Sequence, residues 1–307
     1  MFYILLFLIS ITAAFDEEIH FKYETLPWHE FVEYFNNLNL TWKISVHNNN
    51  DDNHQHCSVI GLNQTYPKIT HDLSVLDLPE IFDAREKWSQ CTSIGKIYDQ
   101  QTCGSCWMFA TATTATDRNC IHANINVDLS EQDLGCCADC YIGPLCLNGG
   151  LPDRAFNFWI SNGLVSYDCR PYNNDDLMND NVCYKSCVNN KDYVQDKNYG
   201  GKMYTVAADA EQIKAELFTN GPVAASFVVY DDIRNYTSGV YAHKYGKRLG
   251  NHAVRIIGYG EESGEKYWLI ANSWGMNRGE NGFYKIKQFQ EDIQLENHII
   301  AAIPRGQ

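Results

Sequence analysis

The chain opens on a hydrophobic run. Residues 2–11 are apolar except for Ser10, small residues follow at Thr12, Ala13 and Ala14, and Asp16, Glu17 and Glu18 close the segment. This is the pattern of a secretory signal peptide over residues 1–15, cleaved near Ala14 or Phe15. The run is shorter than the ~20 residues that span a bilayer, and no later stretch is longer, so no membrane span is expected. Trp28, Phe31, Val32 and Phe35 then recur at helical spacing and predict one short amphipathic helix. From His47 to His56 nearly every residue is Asn, Asp, His or Gln, which reads as a linker. Residues 106–120 carry little polar surface and predict a buried helix, and 130–135 and 152–162 predict two short ones. From about residue 203 the texture changes. The segments 222–230, 252–260, 266–274 and 282–289 are β-branched and aromatic runs split by Gly and Asn turns. No internal repeat is found. The pattern predicts a helical part followed by a mostly β part.

Composition narrows the class. With 307 residues, 45% hydrophobic and 20% charged, the chain suits about two compact units of ~150 residues and is unlike a disordered one. The net charge of −14 argues against a nucleic-acid binder or a protein held on anionic lipid. Residues 16–77 hold ten acids and three bases, as large a net charge as the whole of 78–307 with its 28 acids and 21 bases. Residues 16–77 therefore read as a separate unit.

Twelve cysteines fit an exported chain, where closely spaced cysteines usually form disulfides. None lies after Cys187, so the last 120 residues fold without bridges. Sequons at Asn39, Asn63 and Asn235 fit the same route and mark glycosylation candidates.

The tetrapeptide CGSC at 103–106 admits three readings. It could be a thiol–disulfide exchanger at a helix start, although such motifs usually carry Trp before the first Cys and here Trp107 follows the second. It could join Cys136, Cys137 and Cys140 in a zinc site. Or Cys106 is a nucleophile at a helix N-terminus while Cys103 is a bridge that pins the loop. The third reading requires a histidine to take the thiol proton and a partner to fix that histidine. CGSCW at 103–107, NHAVRIIGYG at 251–260, NSWG at 272–275 and Gln100 six residues before Cys106 meet it jointly. His252 lies 146 residues after Cys106, and Asn272 twenty beyond that.

On these residues the sequence resembles the papain family of cysteine proteases, and within it the cathepsin B group. LPEIFDAREKWSQC (78–91), DQQTCGSCW (99–107), DCRPY (168–172), NGPV (220–223), ANSWGMNRGENGFYKI (271–286) and AAIPR (301–305) extend the likeness over essentially all of residues 78–307. NLTW (39–42) and Cys57 extend it to a proregion. The resemblance implies an α+β, two-lobed fold. A helical disulfide-bridged lobe (about 78–200) would face a mostly β, barrel-like lobe (about 201–307), with termini crossing over and the active site between them. It implies Cys106 as nucleophile, His252 as base then acid, and Asn272 as the residue that orients His252 under the shield of Trp274. Gln100 and the Cys106 N–H would form the oxyanion hole. Gly149 and Gly150 would bind substrate backbone, though a simple turn is the plainer reading of that pair. Leu151, Pro152, Ser226 and Ala253 would wall the second specificity pocket, with His298 at its base.

The resemblance also implies five bridges: Cys91–Cys120, Cys103–Cys146, Cys136–Cys183, Cys137–Cys140 and Cys169–Cys187. Cys106 would stay free, and Cys57 is left over. Residues 16–77 would be an inhibitory proregion ending near Asp77–Leu78, released faster in acid as its carboxylates protonate. The chain departs from the family at Gln101, Met108, Leu147 and Arg278. The segment between Cys169 and Cys183 is short, lacks histidine and carries Asp175, Asp176 and Asp180, so it would repel a substrate's terminal carboxylate. Glu296, two residues before His298, would not face the pocket. The expectation is a monomeric endopeptidase made as a zymogen, lysosomal or extracellular. It would act on polypeptides, with no metal or cofactor and little dipeptidyl-carboxypeptidase activity. The rival classes are a redox protein and a non-enzymatic exported scaffold.

Overall fold

The computed structural model describes residues 2–47, 66–141, 143–179 and 183–306, with side chains from residue 14 onward. Cys57, Asn63 and Asp180 lie outside the described residues. The N-terminal segment forms α1 (Phe2–Thr25), α2 (Trp28–Asn37), β1 (Trp42–Ile44) and β2 (Lys68–Ile69). Next come β3 (Phe82–Asp83), α3 (Ala84–Lys87), α4 (Cys106–Ala123), α5 (Leu145–Asn148), α6 (Pro152–Asn162) and α7 (Asn174–Met178). The remainder is β4 (Gly200–Val206), α8 (Ala210–Asn220), β5 (Val223–Tyr230), β6 (Tyr236–Tyr241), β7 (Arg248–Glu262), β8 (Glu265–Ala271), β9 (Phe283–Lys287) and β10 (Ile299–Pro304). Among the described residues no helix is long and apolar enough to cross a membrane. The predicted 130–135 helix is a 3-10 turn at Gln132–Cys136.

Ten strands form one sheet in the order β1-β6-β9-β8-β7-β5-β10-β4-β2, with β3 on β7. The N-terminal segment supplies both outer strands: β1 pairs antiparallel with β6, and β2 pairs parallel with β4. It thereby covers two edges whose free N–H and C=O groups would otherwise invite pairing. The predicted amphipathic helix is α2, which buries Phe31, Val32 and Phe35. These meet an aromatic cluster. Phe31 and Tyr245 ring centroids lie 4.8 Å apart, as do those of Phe35 and Trp42, and Trp42 lies 4.9 Å from Tyr241.

Gly239 makes the β1 contact possible. Its φ is +86° and an added Cβ would sit 2.1 Å from the Thr41 carbonyl oxygen, which accepts the Val240 N–H at 2.8 Å. We expect Gly239→Ala to lift β1 off β6, so that limited proteolysis cuts residues 38–47 at least several-fold faster than in wild type. Equal cutting rates would show that β1 is not held through this glycine.

The helical part is built around α4, whose residues 106–120 are all buried. It packs against β7, β10 and α6. Two buried ion pairs fasten it: Arg118 to Glu216 of α8 at 2.6 Å, and Asp117 to Arg255 of β7 at 2.5 Å. Removing one partner from such a pair costs about 3–5 kcal/mol because the other charge stays buried. The five implied bridges are all present. One expectation is corrected. Asn235 is fully buried at the end of a 3-10 turn, and its carbonyl accepts the Ser45 N–H at 2.8 Å, so this fold leaves no room there for a glycan. Asn39 is exposed.

Candidate active site

Cys106 is the first residue of the 18-residue helix α4, where the helix dipole favours an anion such as a thiolate. His252 projects from β7, opposite Phe227 of β5, and is fully buried. The next residue brings the two parts together: the Ala253 N–H lies 3.4 Å from the Cys106 sulfur. His252 Nε2 is 2.7 Å from Asn272 Oδ1. That oxygen also accepts the Ser273 N–H at 2.8 Å, so the Asn272 carboxamide is fixed with its oxygen toward the ring. Nε2 must therefore carry the hydrogen, which makes Nδ1 the basic nitrogen. Trp274 stacks on His252 with centroids 4.5 Å apart and 30° between planes.

Gln100 is fully buried across the same junction. Its Oε1 accepts the Ser273 hydroxyl at 2.8 Å, and its Nε2 donates to the Cys103 carbonyl at 3.0 Å. This turns the amide nitrogen toward the 103–106 turn, where the Cys106 N–H also lies. Ser273 thus touches both Asn272 and Gln100. Sequence reasoning missed it, although it sits inside the NSWG motif.

One expectation about Cys106 is corrected. It is disulfide-bonded, and no described cysteine is free. The ten other described cysteines pair with one another. The chemistry that suits this sulfur for attack on a carbonyl also suits it for exchange with a disulfide.

Residues 78–303 match the family described as papain family cysteine protease. The chain belongs to the papain family. It is 37% identical over 266 residues to cathepsin B-like cysteine proteinase 4 of Caenorhabditis elegans, covering 77% of this chain and 78% of that protein. Cathepsin B-like cysteine proteinase 6 of the same organism is 35% identical over an alignment of 334 positions, covering 94% of this chain and 86% of its own. The solved structure of procathepsin B S9 from Trypanosoma congolense superposes with a TM-score of 0.79 at 30% identity, over 90% of this chain and 98% of that one. The papain-like α+β fold and a cysteine-peptidase identity follow.

The papain-family binding residues are placed unevenly. Gly149 ends α5 with φ +66°. Gly150 is required by packing alone, since a Cβ there would lie 2.5 Å from the Trp107 ring and 2.7 Å from the Cys140 carbonyl oxygen. Leu151 is buried and Pro152 begins α6. Ser226 and Ala253 are paired across β5 and β7. His298 ends a 3-10 turn (Leu295–His298) immediately before Ile299, which pairs with Ala225, the residue before Ser226. Burial pushes its pKa below the usual histidine value. Glu296 is turned inward: its Oε1 accepts the Trp268 Nε1–H and the Phe289 N–H, each at 2.7 Å.

The short segment after Cys169 folds as α7. Asn173 caps it, accepting the Asp175 and Asp176 N–H groups at 3.0 and 3.2 Å. Both aspartates sit in the first turn, where the helix dipole favours them, so they also have a local structural role. Gln101, Gln132, Arg170, Tyr172, Asp176 and Tyr184 are among the residues lining a cavity of about 460 Å³ beside them. Arg170 was not weighed in the sequence reading; it is largely buried and donates to the Tyr184 carbonyl. The region is therefore mixed in charge and not wholly acidic.

Proposed function

We propose that this chain is a cathepsin B-like cysteine endopeptidase, made with residues 1–15 as a signal peptide and 16–77 as an inhibitory proregion. It would enter the secretory pathway and act in an acidic vacuole or outside the cell. The observation that carries this reading is the Nε2–Asn272 contact of 2.7 Å on a histidine whose neighbouring N–H lies 3.4 Å from Cys106. Once Cys106 is reduced, His252 Nδ1 takes its proton. The thiolate attacks the scissile carbonyl carbon, and the carbonyl electrons move to an oxygen held by Gln100 Nε2–H and the Cys106 N–H. Collapse expels the amine, which takes the proton from His252 and leaves a thioester on Cys106. Water, deprotonated by His252, releases the acid and regenerates the thiolate. A test is to treat the reduced, activated protein with an irreversible peptidyl inhibitor and map the modified peptide by mass. Modification anywhere but Cys106 would overturn the assignment.

Endopeptidase action is favoured by the aspartates of α7. A panel of internally quenched and free-carboxylate peptides tests it, and efficient release of C-terminal dipeptides would refute it. His298 sets a pH signature. Charged, it repels Arg two residues before the cut; neutral, it accepts Leu, Val or Phe. Its pKa is held below the ordinary ~6.5, so the charged form appears only as pH falls further. We expect the Leu-over-Arg ratio of kcat/KM to rise as pH drops, with its midpoint below ~6.5. A ratio that stays flat down to about pH 4.5 would remove His298 from the pocket.

Among the described residues two ion pairs join residues 16–77 to the rest of the chain, and one of them uses a carboxylate of the segment itself. Asp16 pairs with Lys244 at 2.8 Å, and His71 pairs with Glu216 at 2.7 Å. Glu216 is desolvated, but Arg118 and His71 outweigh this and hold its pKa at about 2. Its stabilising charge is complete above the ordinary carboxylate range and is lost only as pH falls through about 2. Acidification to about pH 5 leaves this anchor intact.

A further inference from the structure

Two donors make the oxyanion hole in the reading above, and they come from different stretches of chain. One is the Gln100 side chain; the other is the peptide N–H between Ser105 and Cys106. The Tyr172 hydroxyl touches both stretches. It donates to the Gln100 carbonyl oxygen at 2.7 Å and lies 2.8 Å from Ser105 Oγ. A phenol has one hydrogen. Because that hydrogen goes to Gln100, the Ser105 hydroxyl is the donor to Tyr172. The chain of bonds runs Ser105 to Tyr172 to Gln100.

We infer that Tyr172 is a positioning residue for the oxyanion hole, holding the Gln100 and Cys106 donors at a fixed separation through its single hydroxyl. The inference rests on the peptidase reading and deepens it. Three observations support it. The ring is braced against Phe109 of α4, with centroids 4.8 Å apart at 59°, so the hydroxyl is steadied against the helix that carries the nucleophile. Burial raises its pKa well above the usual tyrosine range, so it stays a donor at any working pH. The Gln100 side chain is tied at its two ends by Cys103 and Ser273, whereas its backbone carbonyl accepts from Tyr172. Tyr172 also lines the cavity beside α7, so the segment between Cys169 and Cys183 is wired to the hole. Oxyanion donors act only if they are placed before charge develops, and removing a donor outright costs ~10²–10³ in kcat. Loosening one through its neighbour is expected to cost about tenfold.

The test uses the full chain, reduced and activated, as wild type, Tyr172→Phe and Ser105→Ala. Phenylalanine keeps the contact with Phe109, and Ser105→Ala is a second, smaller lesion in the same chain of bonds. Three quantities are measured: kcat and KM on a peptide amide, affinity for a peptide aldehyde, and the rate of Cys106 alkylation by iodoacetamide. The aldehyde forms a tetrahedral adduct whose oxygen occupies the hole. Alkylation reports the thiolate and needs no hole. The expected result for Tyr172→Phe is a kcat about tenfold lower, little change in KM, aldehyde affinity weakened by a similar factor, and unchanged alkylation. Ser105→Ala moves the same two quantities by a smaller factor. Unchanged kcat and aldehyde affinity in both variants would overturn the inference and leave the peptidase reading standing. A parallel loss of alkylation would also overturn it, because that marks a general disturbance of the site. Wild-type protein that alkylates at Cys106 yet cleaves no peptide would overturn the peptidase reading itself, and this inference with it.

Discussion

Replacing Cys106 with serine is expected to lower kcat/KM on peptide amides by roughly 10⁴-fold or more, while the chain still folds. Serine has the right shape, but its hydroxyl is far less acidic than a thiol, and the site around it is built for a thiolate. The α4 N-terminus and a neutral His252 can ionise a thiol of ordinary pKa ~8.5; they cannot ionise an alcohol to the same extent. Residual turnover would come from binding and the oxyanion hole alone. Asn272→Ala should cost less, on the order of 10–10² in kcat, because Asn272 only sets the tautomer of His252. Its bond at 2.7 Å is lost, but the Trp274 stack at 4.5 Å still holds the ring. Burst kinetics with an activated ester separate the two variants. Cys106→Ser shows no thioester burst, whereas Asn272→Ala retains one at a lower rate. Near wild-type hydrolysis by Cys106→Ser would remove Cys106 from the mechanism.

The parts of this molecule that were legible in the sequence have a one-dimensional signature. Residues 106–120 form a buried helix because the stretch is nearly all small or apolar, and β5, β7, β8 and β9 follow their β-branched and aromatic runs. Cys106, His252, Asn272 and Gln100 were found through joint spacing, since each alone is an ordinary residue. What escaped depends on pairing across long separations. Helix α8 reads as polar because one of its buried positions is Glu216, whose burial is made tolerable by partners far away in sequence, Arg118 98 residues earlier and His71 145 residues earlier. Strands β1 and β2 are three and two residues long, too short for alternation to show. Helix α1 runs through the expected processing point at residues 14–15, where the composition changes from apolar to charged but the backbone does not. Tyr172 and Ser273 act through hydroxyls, which leave no periodic trace. The state of Cys106 was hidden in the cysteine count. Five bridges among twelve cysteines leave two sulfurs over, and a count does not say in what state Cys106 is held.

A thiol reductant is expected to raise the peptidase activity of the full-length chain by about 100-fold or more. In the oxidised chain the Cys106 sulfur is bonded to another sulfur, so it has neither a proton to give His252 nor a lone pair reactive enough to attack an amide. Reduction proceeds by attack of an external thiolate on this disulfide and then by a second thiol on the mixed disulfide. The two cysteine thiols are restored as the reductant becomes a disulfide. Cys106 is a good leaving group, because the charge it acquires is the one that the α4 N-terminus and His252 stabilise. Its bond should therefore open before the Cys91–Cys120 and Cys103–Cys146 bridges, none of whose cysteines begins an α-helix. The attacking species is a thiolate, so release slows as pH falls below the reductant's pKa, about tenfold per pH unit. This opposes the acid trigger anticipated from the proregion carboxylates, and Glu216, ionised down to about pH 2, gives acid no purchase on the His71 anchor. The measurement is graded reduction followed by trapping with iodoacetamide, peptide mapping and a parallel activity assay. Cys106 should become alkylated at the lowest reductant concentration, and activity should rise in step with that one modification. A chain that hydrolyses peptides equally well without reductant, or in which Cys106 is alkylated before any is added, would show that this sulfur is not held back by a disulfide in solution.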